Sequence, residues 1–177
     1  MIELQPFTKS DFQRLINWID SPELLLQWGG PTFFYPLDES QLEQYLGESE
    51  GIKPKKMIFK AIDNETRDIV GHIEIDNIDR KSNSARICRV LVGSPNLRNR
   101  GIGSLIMKAI LKICFRQLKL HRVELQVWSV NKSAIACYEK IGFVKEGLLR
   151  DARRMGNRYY NVYQMSMLEE EWKAQNL

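Results

Sequence analysis

The segment from Arg98 to Ser104 combines residue types that suit the binding of an anion. A predicted strand leads into it and a predicted helix begins near Gly101, so the first N–H groups of the helix lack partners and lie at the positive end of its dipole. Gly101 and Gly103 carry no side chains that would block a close approach. Arg98, Arg100 and Ser104 add charge and hydrogen-bond donors, so the segment predicts a phosphate or diphosphate site.

Two common nucleotide-binding loops do not fit this segment. A Walker A loop needs lysine and then serine or threonine after its second glycine, whereas Gly103 is followed by Ser104 and Leu105. A dinucleotide fingerprint needs a glycine where Ile106 stands, and the strands before the segment look antiparallel. Taken alone, the two glycines also fit a helix that merely starts tightly against a sheet.

A second group of residues lies downstream and contains Asn131, Ala134, Tyr138 and the pair Gly142-Phe143. Together with the glycine segment, this group resembles the two central motifs of the GNAT superfamily of acyl-CoA N-acyltransferases. The resemblance covers about Lys56 to Trp172. It implies an enzyme that moves an acetyl group from acetyl-CoA to a primary amine, such as a protein N-terminus, a polyamine or an amino sugar.

The segment Glu146 to Arg150 and the closing pair Glu171-Trp172 look like the branch that contains ribosomal-protein and spermidine acetyltransferases. The resemblance implies a single α+β domain over residues 1–177, layered as α/β/α. Its central mixed sheet is expected to be mostly antiparallel, with about six or seven strands that are splayed near the cofactor and flanked by helices. A homodimer is also expected.

The resemblance further assigns residues to the binding of acetyl-CoA. The backbone of Leu91 and Val92 is expected to pair with the pantetheine arm, and Asn131 to contact the cofactor near its thiol end. The residues implied to hold the pyrophosphate are Arg98, Asn99, Arg100, Gly101, Ile102, Gly103 and Ser104.

Tyr138 matches the family position that donates a proton or a hydrogen bond to the sulfur of coenzyme A. We therefore expect it to be catalytic. Its spacing from Ile135 and Ile141 is also typical of an aromatic side chain in a helix core, so that interpretation stays open.

The general base is less clearly indicated. Some relatives carry a glutamate where Gln126 stands, and a glutamine amide is a poor proton acceptor. Glu74 and Asp76 alternate with His72 on one face of a predicted strand, so one of the carboxylates could activate the amine directly or through water. We take Glu74 first; the alternative is that this row forms a solvated sheet face.

The elements that must position these residues follow from hydrophobic periodicity. The predicted strands are Ile2 to Pro6, Met57 to Ile62, Asp68 to Ile78, Ala85 to Val92, Arg122 to Ser129, Phe143 to Arg150 and Tyr159 to Leu168. The predicted helices begin near Thr8, Ser21 and Asp38 and extend over Gly101 to Leu118 and Lys132 to Ile141. Glu169 to Asn176 is predicted to be a polar tail.

The aromatic residues Trp28, Phe33, Phe34 and Tyr35 lie near a predicted loop. They could wall the pocket of the acceptor, or they could fasten the loop to the core.

Composition and charge bear on the location of the protein, on metal binding and on alternative functions. The chain has 177 residues, a net charge of +4 and three cysteines, with no signal-peptide pattern at its start. We expect a cytoplasmic protein that is not attached to a membrane. His72 and His121 belong to no ligand motif, so we predict no required metal. Two alternatives are a non-catalytic acyl-CoA-binding module and, from the cluster Arg150 to Arg158, a nucleic-acid-binding domain, although we expect no nucleic-acid partner.

Overall fold

The computed structural model describes residues 1–98 and 100–175. Asn99, which the resemblance assigns to the pyrophosphate loop, lies outside the described residues. The strands are β1 Ile2–Pro6, β2 Met57–Asp63, β3 Ile69–Asp79, β4 Ser84–Val92, β5 Arg122–Trp128, β6 Val144–Met155 and β7 Arg158–Leu168. The α-helices are α1 Phe12–Trp18, α2 Pro22–Gly29, α3 Glu39–Gly47, α4 Ile102–Lys112, α5 Lys132–Ile141 and α6 Glu169–Gln175.

The strands form one seven-stranded sheet in the order β1-β2-β3-β4-β5-β7-β6. All neighbouring pairs are antiparallel except β4 and β5, which run parallel. That parallel ladder joins only Ser84–Ile87 to Arg122–Leu125, although both strands continue beyond it. The mixed, mostly antiparallel sheet with a splayed centre was predicted and is confirmed.

Helices cover the sheet on both faces. On β2, the neighbouring residues Ile58 and Phe59 point to opposite sides because successive strand residues alternate. Ile58 packs in a core with residues of α1, α2 and α3, whereas Phe59 packs in a second core with α4 and α5. The predicted α/β/α layering is therefore confirmed.

The middle strand β3 is buried on both faces from Val70 to Ile75. His72 and Glu74 are 1% and 0% exposed, because the layer of α1 to α3 lies over them. The alternative of a solvated sheet face is therefore wrong for these two residues. A strand covered on both sides by helices is expected to be largely apolar, so a buried carboxylate there needs a partner.

The prediction of a polar tail is wrong for Glu169–Gln175, because these residues form α6. The side chain of Glu171 accepts a hydrogen bond of 2.8 Å from the backbone N–H of Leu168, which helps to start the helix. Trp172 is buried and stacks on Phe115 with ring centroids 5.4 Å apart. One apolar anchor thus holds an otherwise polar helix, which composition alone did not indicate.

The helix predicted over Gly101 to Leu118 is α up to Lys112 and continues as a π-helical turn, Ile113–Gln117. Within the described parts of the chain, no helix has the length and apolar character needed to cross a bilayer.

Candidate active site

A recess beside the predicted site residues opens between the C-terminal part of β4 and one face of α5. We call it the donor cleft, and its volume is about 600 Å³. Its walls come from the ends of β4, the start of α4, one face of α5 and part of α2. The lining residues used below are Trp28, Val90, Leu91, Val92, Arg98, Gly101, Gly103, Ser104, Asn131, Ala134, Tyr138 and Lys140.

The start of α4 forms one end of the donor cleft. Gly101 precedes the helix with a φ of 82°, a left-handed conformation that favours glycine. The first intrahelical hydrogen bond runs from the N–H of Leu105 to the carbonyl of Gly101, so the N–H groups ahead of it have no partner within the helix. This end therefore provides the anion-binding geometry that the glycine segment predicted.

The structure does not bring every predicted pyrophosphate residue to the cleft. Arg98, Gly103 and Ser104 line it beside Gly101. Arg100 is exposed and lies off the lining, and Ile102 packs against the core. Their assignment to the cofactor stays a prediction, and for Ile102 only the backbone is suitably located.

The edge of β4 forms a long wall of the cleft. Leu91 and Val92 pair with His72 and Gly71 of β3 on one side. On the other side the ladder with β5 ends at Ile87, so the backbone beyond it faces the gap without a strand partner. An extended, amide-bearing ligand such as pantetheine could pair with this edge.

Asn131 lies at the start of α5, on the opposite wall. Its Oδ1 accepts hydrogen bonds from the backbone N–H of Ala134 at 3.2 Å and from the hydroxyl of Ser133 at 3.1 Å. The side chain thus caps the helix while its amide group borders the cleft. Cofactor contact and helix capping are compatible roles for this residue.

A second recess of about 250 Å³ lies behind the first, and we call it the acceptor cavity. The two recesses share the lining residues Gln27, Trp28, Val90, Asn131, Ala134 and Tyr138. The acceptor cavity extends from there to side chains of β3, β4, β5 and β6. Its polar side chains include Asp76, Arg86, Arg89, Gln126 and Arg153.

Tyr138 lies at the junction of the two recesses. It is 8% exposed, and burial raises the pKa of its phenol, so the hydroxyl stays protonated at neutral pH. Its ring belongs to the core formed with Ile135 and Ile141. The interpretation as a core aromatic is therefore confirmed for the ring. The catalytic role stays a prediction, for a residue that borders both recesses.

Glu74 lies in a buried polar group beside the acceptor cavity but not on its lining. Its carboxylate pairs with the guanidinium of Arg89, with 2.5 Å between Oε1 and Nη1. Its Oε2 accepts a hydrogen bond of 2.5 Å from the hydroxyl of Tyr45. Burial raises the pKa of Glu74, and the positive charge of Arg89 opposes that rise.

His72 completes the buried group. Its Nε2 lies 3.1 Å from the hydroxyl oxygen of Tyr45, and its Nδ1 is buried without a hydrogen-bond partner among the described residues. Burial, assisted by Arg89, lowers the pKa of His72 to about 3, so the ring is neutral. His72 lines neither recess.

Arg89 was not singled out from the sequence. It lies at an irregularity of β4, where pairing shifts between His72–Leu91 and Glu74–Cys88, and its φ is 51°. This bulge places its side chain between the core and the acceptor cavity, where Nη2 donates a hydrogen bond of 3.1 Å to the hydroxyl of Thr32. A left-handed arginine within a strand leaves no signal in hydrophobic periodicity.

Asp76, the second carboxylate of β3, lines the acceptor cavity. One carboxylate oxygen of Glu74, one of Asp76 and the Sγ of Cys88 lie within 4.8 Å of one another, and all three could bind a metal ion. The guanidinium of Arg89 against Glu74 disfavours a cation there, because the carboxylate already has a positive partner. Proton transfer suits this region better than metal binding.

The four aromatic residues Trp28, Phe33, Phe34 and Tyr35 differ in their locations. Trp28 lines both recesses and stacks on Phe33, with ring centroids 5.3 Å apart. Phe33 is buried and fastens the loop to the core, whereas Phe34 and Tyr35 are exposed. Trp28 therefore both packs against the loop and borders the recesses. Phe34 and Tyr35 border neither recess, and the hydroxyl of Tyr35 fastens the loop by donating a hydrogen bond of 3.2 Å to the carbonyl of Asp20.

Known proteins resemble the chain in both sequence and fold. The profile of the acetyltransferase (GNAT) family matches residues 16–143. The L-amino acid N-acetyltransferase AaaT of Escherichia coli K12 is 30% identical over 135 residues, which cover 76% of this chain and 79% of that protein. A spermidine N(1)-acetyltransferase of the same organism is 25% identical over 177 residues, or 99% of this chain and 90% of that protein.

A crystal structure of the spermidine N-acetyltransferase of Vibrio cholerae, in complex with CoA and spermine, superimposes with a TM-score of 0.83. The alignment covers 97% of this chain and 98% of that one at 22% identity, so it bears on the fold alone. The profile match extends from α1 to the end of α5 and includes the donor cleft. The chain therefore belongs to the acetyltransferase (GNAT) family and is an acetyl-CoA-dependent N-acetyltransferase.

Proposed function

We propose that acetyl-CoA lies in the donor cleft and that the acceptor amine approaches through the acceptor cavity. The observation that carries this assignment is the shared wall of the two recesses, where Trp28, Val90 and Tyr138 border both. A thioester reaching the junction from one side would meet an amine arriving from the other. Such an arrangement holds the two reactants together without an acyl-enzyme.

The described residues fit the donor. The start of α4 and the side chains of Arg98 and Lys140 suit a diphosphate, because unpaired N–H groups and positive charges converge there. The free edge of β4 near Leu91 suits the amide groups of pantetheine. The donor supplies an activated acetyl group, and the protein supplies alignment.

Tyr138 is our candidate for the proton donor. When the amine nitrogen bonds to the thioester carbon and the carbon–sulfur bond breaks, the sulfur gains negative charge and needs a proton. The phenol of Tyr138 is protonated at neutral pH, and it lies at the junction where the sulfur would be. The proton that the amine loses must reach a base and return to the phenol through water.

The base is Glu74 or Asp76, the carboxylates of β3 that lie in or beside the acceptor cavity. Glu74, our first choice from the sequence, lies off the cavity lining and is engaged by Arg89 and Tyr45. Asp76 lines the cavity. This geometry favours Asp76 as the group that accepts the proton, with Glu74 holding Arg89 in position.

Thiol release tests the proposed function. The purified chain is incubated with acetyl-CoA and a panel of amines, free thiol is followed with a chromogenic reagent, and mass spectrometry identifies acetylated products. We expect amine-dependent release, with little thiol formed when no amine is present. Release that does not depend on any amine would contradict the assignment of the acceptor cavity.

We also propose a cytoplasmic location and a homodimer. A cytoplasmic location fits the three cysteines, which are all free thiols. A homodimer fits the edge strand β6, which exposes Leu148 and Leu149 to 42% each. Sedimentation of wild type and of a Leu148→Lys variant tests the second proposal, because a charge on that edge would dissociate a dimer formed through it.

A further inference from the structure

The acceptor cavity carries an excess of positive charge. Three arginines and one carboxylate, that of Asp76, line it. Arg86 is compensated, because its Nη2 lies 2.6 Å from Oε1 of Glu124. Arg89 is compensated as well, by its ion pair with Glu74. Two of the three arginines therefore serve the protein itself and offer little charge to a ligand.

Arg153 of β6 differs from these two. Its Nη2 donates a hydrogen bond of 2.9 Å to Oε1 of Gln126, and its Nη1 donates one of 2.8 Å to the carbonyl of Ala152. Both partners are neutral, and no carboxylate within residues 1–98 and 100–175 forms an ion pair with it. The half-buried guanidinium thus keeps a full charge that the described residues do not neutralise.

Gln126 holds this arginine in place. Its Nε2 donates a hydrogen bond of 3.1 Å to Oε1 of Gln164 on β7, which turns the amide oxygen toward Arg153. A glutamate at position 126 would occupy nearly the same volume but would pair with Arg153 and cancel its charge. The amide therefore positions the guanidinium and leaves it available to a ligand.

We infer that Arg153 recognises an anionic group, a carboxylate or a phosphate, on the same acceptor whose amine is acetylated. This inference rests on the proposed function of the acceptor cavity. A guanidinium presents paired donors that match either anion, and partial burial strengthens the contact. A cavity of about 250 Å³ suits a small acceptor. A polyamine would instead bring further positive charge toward Arg153.

Matched acceptors test this inference. Several α-amino acids are each compared with their own primary amides, and aminoethyl phosphate and spermidine complete the panel. We expect the wild-type kcat/KM to favour the anionic member of each pair by about 10- to 100-fold, which is the usual range for a charge-assisted contact. The amine of an amino acid amide is less basic than that of the free amino acid, so more of it is unprotonated and reactive. This difference alone would favour the amide, which is opposite to the preference that we expect. The ratio of amino acid to aminoethyl phosphate separates the two anions.

Two variants locate the effect. Arg153→Gln removes the charge, and Gln126→Glu neutralises it while the arginine stays. Both are expected to bring the ratio of acid to amide close to one. Arg154→Gln is the matched control, because Arg154 is exposed, donates to the carbonyl of Gly156 and lies over the ring of Tyr159. We expect the control to keep the wild-type ratio, and thermal melting verifies that each variant is folded.

The possible failures are distinct. If the amides and spermidine are acetylated with the same kcat/KM as the acids, the role of Arg153 is overturned while acetyl transfer stands. The same conclusion follows if the acid preference survives in both folded variants. If no amine on the panel causes thiol release, the proposed function itself fails.

Discussion

The indole Nε1 of Trp28 donates a hydrogen bond of 3.0 Å to the main-chain carbonyl of Arg89. This contact ties α2 to the bulge of β4, at the wall between the donor cleft and the acceptor cavity. The carbonyl is available because the bulge turns it away from the strand ladder. One side chain thus supports the irregular backbone and borders both substrates.

Trp28→Phe should lower both the stability of the fold and the affinity for the two substrates. Phenylalanine keeps an aromatic ring, although a smaller one, and the carbonyl of Arg89 loses its donor, so we expect the free energy of unfolding to fall by about 1 to 2 kcal/mol or more. The KM values for both substrates should rise, because the shared wall becomes less rigid. Urea denaturation and steady-state kinetics measure the two effects, and unchanged KM values would refute the structural role of the hydrogen bond.

Tyr138→Phe should lower kcat by about 100-fold or more, because it removes a general acid and keeps the packing of the ring. The affinity for CoA and the circular dichroism spectrum should not change. Tyr159→Phe is the matched control, since that tyrosine is 59% exposed and lies away from the junction. If the Tyr138 variant turns over at the wild-type rate, another group supplies the proton.

Gly101→Ala should raise the KM for acetyl-CoA. A φ of 82° costs an alanine about 1 kcal/mol or more, so the start of α4 would have to rearrange. Gly47→Ala is the control, because that glycine lies in α3 and an added methyl group would meet nothing within 4 Å. An equal effect of the two substitutions on KM would contradict the role of the helix start.

Glu74 and Asp76 of β3 should respond differently when their carboxylates are replaced by amides. Glu74→Gln leaves Arg89 buried without its counterion, and we expect a loss of about 3 kcal/mol in the free energy of unfolding. Asp76→Asn should preserve stability and lower kcat, because Asp76 lines the acceptor cavity. If folded Glu74→Gln loses kcat and folded Asp76→Asn does not, Glu74 is the base, as the sequence first suggested.

His72 should make the fold sensitive to acid. Its pKa is lowered to about 3 from an ordinary value of 6.5, so below pH 6.5 the unfolded chain takes up a proton that the folded chain excludes. Its contribution to stability is present above pH 6.5 and is lost as the pH falls toward 3. The slope approaches about 1.4 kcal/mol per pH unit.

Urea denaturation at several pH values between 7.5 and 5 tests this slope in wild type, in His72→Gln and in a control, His121→Gln, whose histidine is exposed. The His72 variant should lose stability less steeply over that range, whatever its absolute stability. A slope identical to that of wild type would mean that other groups cause the acid sensitivity.

The sequence predicted those parts of the fold that depend on local patterns. The strands, α4 and α5 follow from alternation and helical spacing, and the glycine segment marks the start of α4 because its residue types match the conformation there. The bulge at Arg89 escaped prediction, because nothing in the sequence of β4 distinguishes a left-handed arginine from its extended neighbours. The helix α6 escaped because its one buried anchor, Trp172, is surrounded by polar residues.

The site was predictable only where a motif carried it. Tyr138 and Asn131 belong to a recognisable pattern, but the meeting of Gln126 with Arg153 depends on the registers of β5, β7 and β6 together. A one-residue slip in either strand pair would send those side chains to opposite faces. Contacts of this kind require the three-dimensional arrangement, as does the burial of Glu74 behind Arg89.

The ladder between β4 and β5 joins only Ser84–Ile87 to Arg122–Leu125, so a short seam of four residue pairs connects the two halves of the sheet. A bound donor would bridge the two halves beyond this seam, as an inserted strand would. Amide exchange along the seam should therefore slow, and resistance to proteases should rise, as acetyl-CoA becomes more abundant. The lifetime of the enzyme in a cell would then follow the supply of its own substrate.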